Sequence, residues 1–171
     1  MKNRVVFLDR DGTINKDFGY VYEKKKLVFL PGVIEALQKL QLHGYKLIIV
    51  TNQSGIGRGY YTQKEYCDFT NYMLKELEKQ NIQITDVYYC PHVSEDNCDC
   101  RKPKLKLFYD AIHKYNVDVD NSVVIGDNER DLSICKFENI KGILIYKSSQ
   151  NYVCKKNLLD AVNYILNWGK G

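Results

Sequence analysis

Two aspartates, two positions apart, follow the first apolar run of the sequence. Residues 5–15 read VVFLDRDGTIN, so Asp9 and Asp11 come directly after four apolar residues, and Gly12 permits a tight turn. One carboxylate can attack phosphorus, while its neighbour protonates the leaving oxygen and later deprotonates water. A lone acid after a strand is often only a helix cap. With the motifs below, the pair predicts Asp9 as nucleophile and Asp11 as general acid/base.

Polar residues also follow the later apolar runs. Thr51 and Asn52 offer a hydroxyl and an amide, and Lys102 offers a cation, which suits the equatorial oxygens of a phosphoryl group. Asp127 adds a third carboxylate to Asp9 and Asp11, and three acids can hold a hard divalent cation such as Mg²⁺. For Glu129 and Asp131, helix capping and support of the site are equally good interpretations.

Three cysteines and one histidine lie close together in CPHVSEDNCDCRKP, residues 90–103. Three sulfurs and an imidazole form a closed tetrahedral zinc set, so the metal would be structural; the predicted ligands are Cys90, His92, Cys98 and Cys100. Chance grouping of buried cysteines and a nucleic-acid zinc knuckle are the alternatives, and the C-x-H with C-x-C spacing disfavours both. Such a zinc would fix Arg101 and Lys102, which follow directly.

Short apolar runs alternate with helical patterns along the chain. The runs cover 4–8, 46–50, 86–90, 122–126 and 142–146, and the helical patterns lie at 31–44, from Thr62 onward, and near 104–115, 129–138 and 155–168. This order predicts a doubly wound α/β fold, a mostly parallel sheet of about five strands with helices on both faces. We expect one domain over 1–171, with the polar residues at the carboxyl ends of the strands.

Composition excludes several classes of protein. The 171 residues are 44% hydrophobic and 27% charged with a net charge of +4, and no apolar run is long enough to span a bilayer. The N-terminus shows no signal-peptide core, which predicts a cytoplasmic protein. Scattered basic residues predict no nucleic-acid and no membrane partner, and we expect a monomer.

Four motifs resemble those of the haloacid dehalogenase superfamily of aspartate-dependent phosphatases: DRDGT, TN, Lys102 and GD, in that order. FLDRDGTIN, DFGYV, TNQSGIGRGYYT and the zinc pattern running into CRKP are similar to the D-glycero-D-manno-heptose 1,7-bisphosphate 7-phosphatases. Histidinol-phosphate phosphatase domains are near relatives. The resemblance spans roughly residues 4–147 and implies a haloacid dehalogenase-like Rossmannoid fold without a large cap domain.

The resemblance also implies site residues and a substrate. It implies Mg²⁺ held by Asp9, the backbone carbonyl of Asp11, and Asp127, with Thr51 and Lys102 stabilising the phosphoryl group. The substrate, a small phosphorylated sugar, would lie against Asp17, Gly19, Tyr20, Asn52, Gln53, Ser54 and Arg101, with Arg58 assisting. Asn128 would also contact it, at a position where relatives often carry lysine.

Three departures from the pattern bear on specificity: Asn128 itself, KLKL after CRKP, and a short zinc loop. The implied activity is removal of the 7-phosphate of heptose 1,7-bisphosphate through an aspartyl-phosphate, in nucleotide-activated heptose and lipopolysaccharide synthesis. A histidinol-phosphate phosphatase and a zinc-stabilised polyanion-binding module remain open as alternatives.

Overall fold

A six-stranded parallel sheet forms the centre of the molecule. The computed structural model describes residues 1–168. The strands are β1 Val5–Leu8, β2 Lys46–Asn52, β3 Ile84–Cys90, β4 Val123–Gly126, β5 Lys141–Ile145 and β6 Val153–Lys155, in the spatial order β3-β2-β1-β4-β5-β6. All of the strand pairs are parallel. The chain order reverses between β1 and β4, and ligands bind at the carboxyl ends of strands at such a switch point.

Helices cover both faces of this sheet. The α-helices are α1 Val33–Leu42, α2 Gln63–Glu78, α3 Lys106–Lys114 and α4 Leu158–Leu166, and a 3-10 helix spans Glu129–Lys136. Alternate residues of β1 point to opposite faces: Val6 and Leu8 pack with α1, α2 and α4, whereas Val5 and Phe7 pack with α3. The strands are therefore apolar on both faces, as their continuous apolar runs predict.

Helix α2 begins, and helix α1 begins and ends, where the sequence predicts. Thr62 caps α2 through a capping box with Glu65: the Thr62 hydroxyl accepts from the Glu65 N–H, and the Glu65 carboxylate accepts from the Thr62 N–H at 2.7 Å. Pro31 precedes α1, and Gly44, with φ of 80°, follows its end. The doubly wound α/β class is confirmed.

The structure corrects two details of the expected element order. Residues 153–155, placed partly in a final helix, form β6, so the sheet has six strands rather than about five, and α4 begins only at Leu158. The predicted helix near 129–138 is a 3-10 helix over Glu129–Lys136. Residues 14–30 form a loop with one 3-10 turn at Lys24–Lys26, and within residues 1–168 no separate cap domain follows any strand. In the described residues, no helix is both long and apolar enough to cross a membrane.

Candidate active site

One polar cleft opens at the carboxyl ends of the strands and collects the predicted residues. Its lining includes every residue predicted for catalysis, substrate binding and magnesium: Asp9, Asp11, Asp17, Gly19, Tyr20, Thr51, Asn52, Gln53, Ser54, Arg101, Lys102, Asp127 and Asn128. Arg58, suggested from the middle loop, lines it too. Four further residues that no role was predicted for, or whose role was left open, complete the lining: Tyr61, Arg130, Asp131 and Lys147.

A buried lysine joins two carboxylates at the floor of the cleft. Lys102 Nζ lies 2.9 Å from Asp9 Oδ1 and 2.8 Å from Asp131 Oδ1, and it donates to the carbonyl of Val50 at 2.6 Å. Lys102 is 3% exposed and Asp131 is 2% exposed. Burial lowers the pKa of Lys102, but Asp9 and Asp131 more than offset this, so its pKa is raised and the ammonium keeps its charge. The charge of this lysine is thus available beside the predicted nucleophile.

Asp131 caps the 3-10 helix and also contacts a residue of the cleft floor, the two roles that its sequence position left open. One carboxylate oxygen contacts Lys102, while Oδ2 accepts from the backbone N–H of Asn128 at 3.1 Å as part of a capping box. Burial, with Asp131 adding like charge, raises the pKa of Asp9 to about 7, and Lys102 opposes that rise. The local sequence offers a cap here; only the fold shows that the same side chain reaches the lysine.

Asp11 is held by donors on both of its oxygens. The Arg10 guanidinium donates from Nε to Oδ1 at 3.0 Å and from Nη2 to Oδ2 at 2.9 Å, and it is fully buried over the Phe69 ring at 4.8 Å. Asn15 Nδ2 donates to Oδ1 and Gln53 Nε2 donates to Oδ2, each at 3.0 Å. The predicted acid/base therefore has a fixed orientation two residues from Asp9.

Gln53 links that network to Thr51, the threonine predicted to bind the phosphoryl group. It is 2% exposed, and its amide donates to Thr51 Oγ1 as well as to Asp11. Tyr61 donates to Gln53 Oε1 at 2.6 Å, and burial raises the pKa of Tyr61 to about 12, so the phenol stays a donor. Sequence reasoning placed Gln53 among substrate contacts; in the structure its side chain orients Asp11 and Thr51, and Tyr61 had no local signal beyond its place in the loop.

Asn52 connects the β2 end to the loop after β3. Its Oδ1 accepts from the Lys102 backbone N–H at 3.0 Å, and its Nδ2 donates to the Lys102 carbonyl at 3.1 Å. These two bonds fix the backbone from which the Lys102 side chain enters the floor. Asn52 thus lines the cleft and also clamps Lys102.

Two of the three residues predicted for magnesium, Asp9 and Asp127, lie in a cluster of carboxylates that suits a hard cation. Carboxylate oxygens of Asp9, Asp127 and Asp131 lie within 4.8 Å of one another. Asp131 is engaged with Lys102, whereas Asp127 faces the cleft, and burial raises the pKa of its carboxyl. A Cβ on Gly12, where φ is +81°, would lie 2.7 Å from Asp127 Oδ2, so only glycine lets Asp127 approach this turn. One or two carboxylates with waters are the usual protein share of a Mg²⁺ site.

The three cysteines and His92 come together as a compact cluster. The Sγ atoms of Cys90, Cys98 and Cys100 are 2.9 to 3.6 Å apart, and His92 Nδ1 lies 3.5 Å from Cys90 and 3.2 Å from Cys100. A tetrahedron with Zn–S bonds of about 2.3 Å has S···S edges of about 3.8 Å, so the two distances of 3.6 Å match a zinc site, whereas the 2.9 Å between Cys90 and Cys100 is shorter than such an edge. Burial raises the pKa of all three thiols; at Cys98 the N–H groups of Arg101 and Cys100 outweigh it and bring the pKa to about 7, whereas the pKa values of Cys90 and Cys100 stay raised.

The cluster is coupled to the cleft through the residues that follow it. Arg101 Nη1 donates to the His92 carbonyl at 3.3 Å, and Lys102 is the next residue. A metal bound to the four side chains would therefore fix the chain that carries both cations.

Comparison with known proteins agrees with this geometry. The model of the family described as polynucleotide kinase 3 phosphatase matches residues 4–157. A D-glycero-beta-D-manno-heptose-1,7-bisphosphate 7-phosphatase of Haemophilus influenzae is 44% identical over 136 residues, covering 76% of this chain and 74% of its own. The D-glycero-alpha-D-manno-heptose-1,7-bisphosphate 7-phosphatase of Campylobacter jejuni is 38% identical over 168 residues, covering 96% of both chains.

A solved structure shares the whole fold. The D,D-heptose 1,7-bisphosphate phosphatase from B. bronchiseptica, complexed with magnesium and phosphate, superposes with a TM-score of 0.88 at 24% identity and covers 96% of this chain and 98% of its own. Fold and site together define a haloacid dehalogenase-like phosphatase, an enzyme that hydrolyses phosphoric monoesters. The chain belongs to the family described as polynucleotide kinase 3 phosphatase, alongside these heptose bisphosphate phosphatases.

Proposed function

We propose that the protein removes the 7-phosphate from D-glycero-D-manno-heptose 1,7-bisphosphate. The observation that carries this is the arrangement of charges in the cleft. Lys102 joins Asp9 and Asp131 at the floor, and Asp11 is held in a fixed orientation beside them. The rim above the floor bears four cations: Arg58, Arg101, Arg130 and Lys147. A substrate with two phosphates suits one reacting centre under a cationic rim. Relatives named for this reaction match most of the chain.

The proposed reaction runs in two steps on Asp9. Asp9 Oδ1 is held by Lys102, which leaves Oδ2 to attack phosphorus while Asp11 gives a proton to the leaving sugar oxygen. Asp11 then takes a proton from the water that hydrolyses the aspartyl-phosphate, returning both carboxylates to their first state. Thr51 donates to the phosphoryl oxygens as charge develops, and the buried Lys102 ammonium, hydrogen-bonded to Asp9, Asp131 and the Val50 carbonyl, stabilises that charge electrostatically.

Two metals complete the proposal. Mg²⁺, held by Asp9, the backbone carbonyl of Asp11, and Asp127, would neutralise charge on the transferring phosphoryl group. Zn²⁺, held by Cys90, His92, Cys98 and Cys100, would be structural, since the four side chains fill a tetrahedron.

We further propose that the chain acts as one domain over 1–171, as a cytoplasmic monomer, with no nucleic-acid or membrane partner. Its product would enter nucleotide-activated heptose synthesis for lipopolysaccharide.

The test is phosphate release with Mg²⁺ from the α and β anomers of heptose 1,7-bisphosphate, with histidinol phosphate alongside. We expect either heptose anomer to be preferred over histidinol phosphate, and the preferred anomer assigns the pathway branch. Asp9→Asn is the inactive control, and Asp68→Asn, an exposed acid on α2, is its matched active control. Preference for histidinol phosphate would refute the substrate while keeping the mechanism, and polyanion binding without any turnover would refute both.

A further inference from the structure

Cations flank the cleft on both sides of the switch point. In the described residues 1–168 the lining holds Lys102 at the floor, Arg58 and Arg101 from the loops after β2 and β3, and Arg130 and Lys147 from the segments after β4 and β5. Because β2 and β4 lie on opposite sides of β1, the two pairs rise from opposite sides of the site. Arg130 and Lys147 are the two cations for which no sequence motif suggested a role, and Lys147 comes from the segment after β5.

The loop that carries Lys147 is tied at both ends. β5 pairs with β6 in the register Ile145↔Lys155, and the Tyr146 N–H donates to the Lys155 carbonyl at 3.1 Å. Further along, the Ser149 hydroxyl donates to Glu129 Oε1 at 2.5 Å, which connects the loop to the 3-10 helix beside the cleft. Lys147 therefore projects from a braced segment.

The Lys147 ammonium lines the cleft and makes only a long contact with a carboxylate, so it can bind an anion there. Its Nζ is 3.6 Å from Asp127 Oδ2, beyond hydrogen-bond distance, and its side chain is 52% exposed. An exposed pair at this distance holds the ammonium only weakly, so it is free to turn toward a better acceptor. A phosphate group offers three acceptor oxygens and more charge than one carboxylate.

We propose that Lys147 binds the second, non-reacting phosphate of the substrate and so selects bisphosphates over monophosphates; this inference rests on the proposed function. The reacting phosphate occupies the floor at Asp9, Thr51 and Lys102. Lys102 contacts two carboxylates there, so a different cation has to bind the second phosphate. The distal phosphate of a short sugar then reaches the rim, where Lys147 meets it from the β5 side.

The test compares heptose 1,7-bisphosphate with heptose 7-phosphate, the same sugar without the distal phosphate, in the full-length enzyme with Mg²⁺. Lys147→Ala should raise KM for the bisphosphate about tenfold, the factor expected for one charge-assisted hydrogen bond, and leave KM for the monophosphate unchanged. Lys147→Arg should restore most of the loss. Lys156→Ala, an exposed lysine outside the cleft lining, is the matched control and should change neither.

Other outcomes overturn the proposal. Equal changes for both substrates, or a fall in kcat with a higher Mg²⁺ requirement, would mean that Lys147 only positions Asp127. An unchanged bisphosphate KM would remove Lys147 from recognition. Wild-type enzyme that fails on the bisphosphate but hydrolyses other phosphomonoesters would refute the proposed function itself. If the wild type is active on the bisphosphate and the Lys147→Ala variant is unaltered, only the role of Lys147 is refuted.

Discussion

Replacing Lys102 by methionine should destabilise the protein strongly and in a pH-dependent way. The ammonium is buried between Asp9 and Asp131, at 2.9 and 2.8 Å, so its loss leaves two carboxylates facing each other without a cation. Removing one partner of a buried ion pair costs about 3–5 kcal/mol. For a chain of this size that corresponds to a fall in Tm of about 6–20 °C.

The pH dependence follows from the Asp9 carboxyl. Its pKa is already raised to about 7 by burial and by Asp131, and Lys102 is the group that lowers it, so the variant's pKa is higher still. A carboxyl whose pKa is raised on folding binds its proton more tightly in the native state, so it stabilises the native state at low pH and this contribution is lost as pH rises. The deficit of the variant should therefore be largest near about pH 8 and shrink toward about pH 5.5.

Urea unfolding of the wild type and Lys102→Met at both pH values, without added Mg²⁺, measures this. Lys136→Met, an exposed lysine at the end of the 3-10 helix, controls for the substitution itself. Adding Asp131→Asn to Lys102→Met should recover about 1–3 kcal/mol, because one of the two unpaired charges is gone. A variant as stable as the wild type near pH 8, or a deficit that does not change with pH, would refute the reasoning.

Three further predictions concern the catalytic and metal residues. Asp9→Asn should lower kcat at least about 10³-fold with an unchanged circular dichroism spectrum, and appreciable residual turnover would remove Asp9 from the mechanism. Cys98→Ser should lose zinc by elemental analysis and order in the 90–103 loop before the sheet is affected, whereas stoichiometric zinc in that variant would contradict the ligand set. Gly12→Ala should weaken Mg²⁺ activation, because its Cβ would meet Asp127 Oδ2 at 2.7 Å; an unchanged Mg²⁺ titration would argue against Asp127 as a ligand.

The strands and most of the cleft could be predicted because local signals define them. Apolar runs such as Val5–Leu8 can only be buried on both faces, and in a parallel sheet their carboxyl ends share one edge, which brings Asp9 and Thr51 together. The Cys90 and Cys98 region has a spacing that few structures other than a metal site require. These features depend on neighbouring residues, so the sequence displays them.

The remainder depends on contacts between distant segments. β6 has three residues, too few for an apolar pattern, and it exists because it pairs with β5. Arg10 carries no local signal for burial, yet the fold buries it against Asp11 and Phe69. For Asp131 the sequence left capping and support of the site open, because its contact with Lys102 joins residues 29 positions apart that meet only when the sheet forms.

The measurement that tests the account most directly is acid-quenched turnover of heptose 1,7-bisphosphate followed by mass spectrometry of the peptide that contains Asp9. The account predicts a phosphoryl group on Asp9 in the wild type during turnover with Mg²⁺, and none in Asp9→Asn. Rapid phosphate release with no modification of Asp9, or modification of another residue, would contradict it.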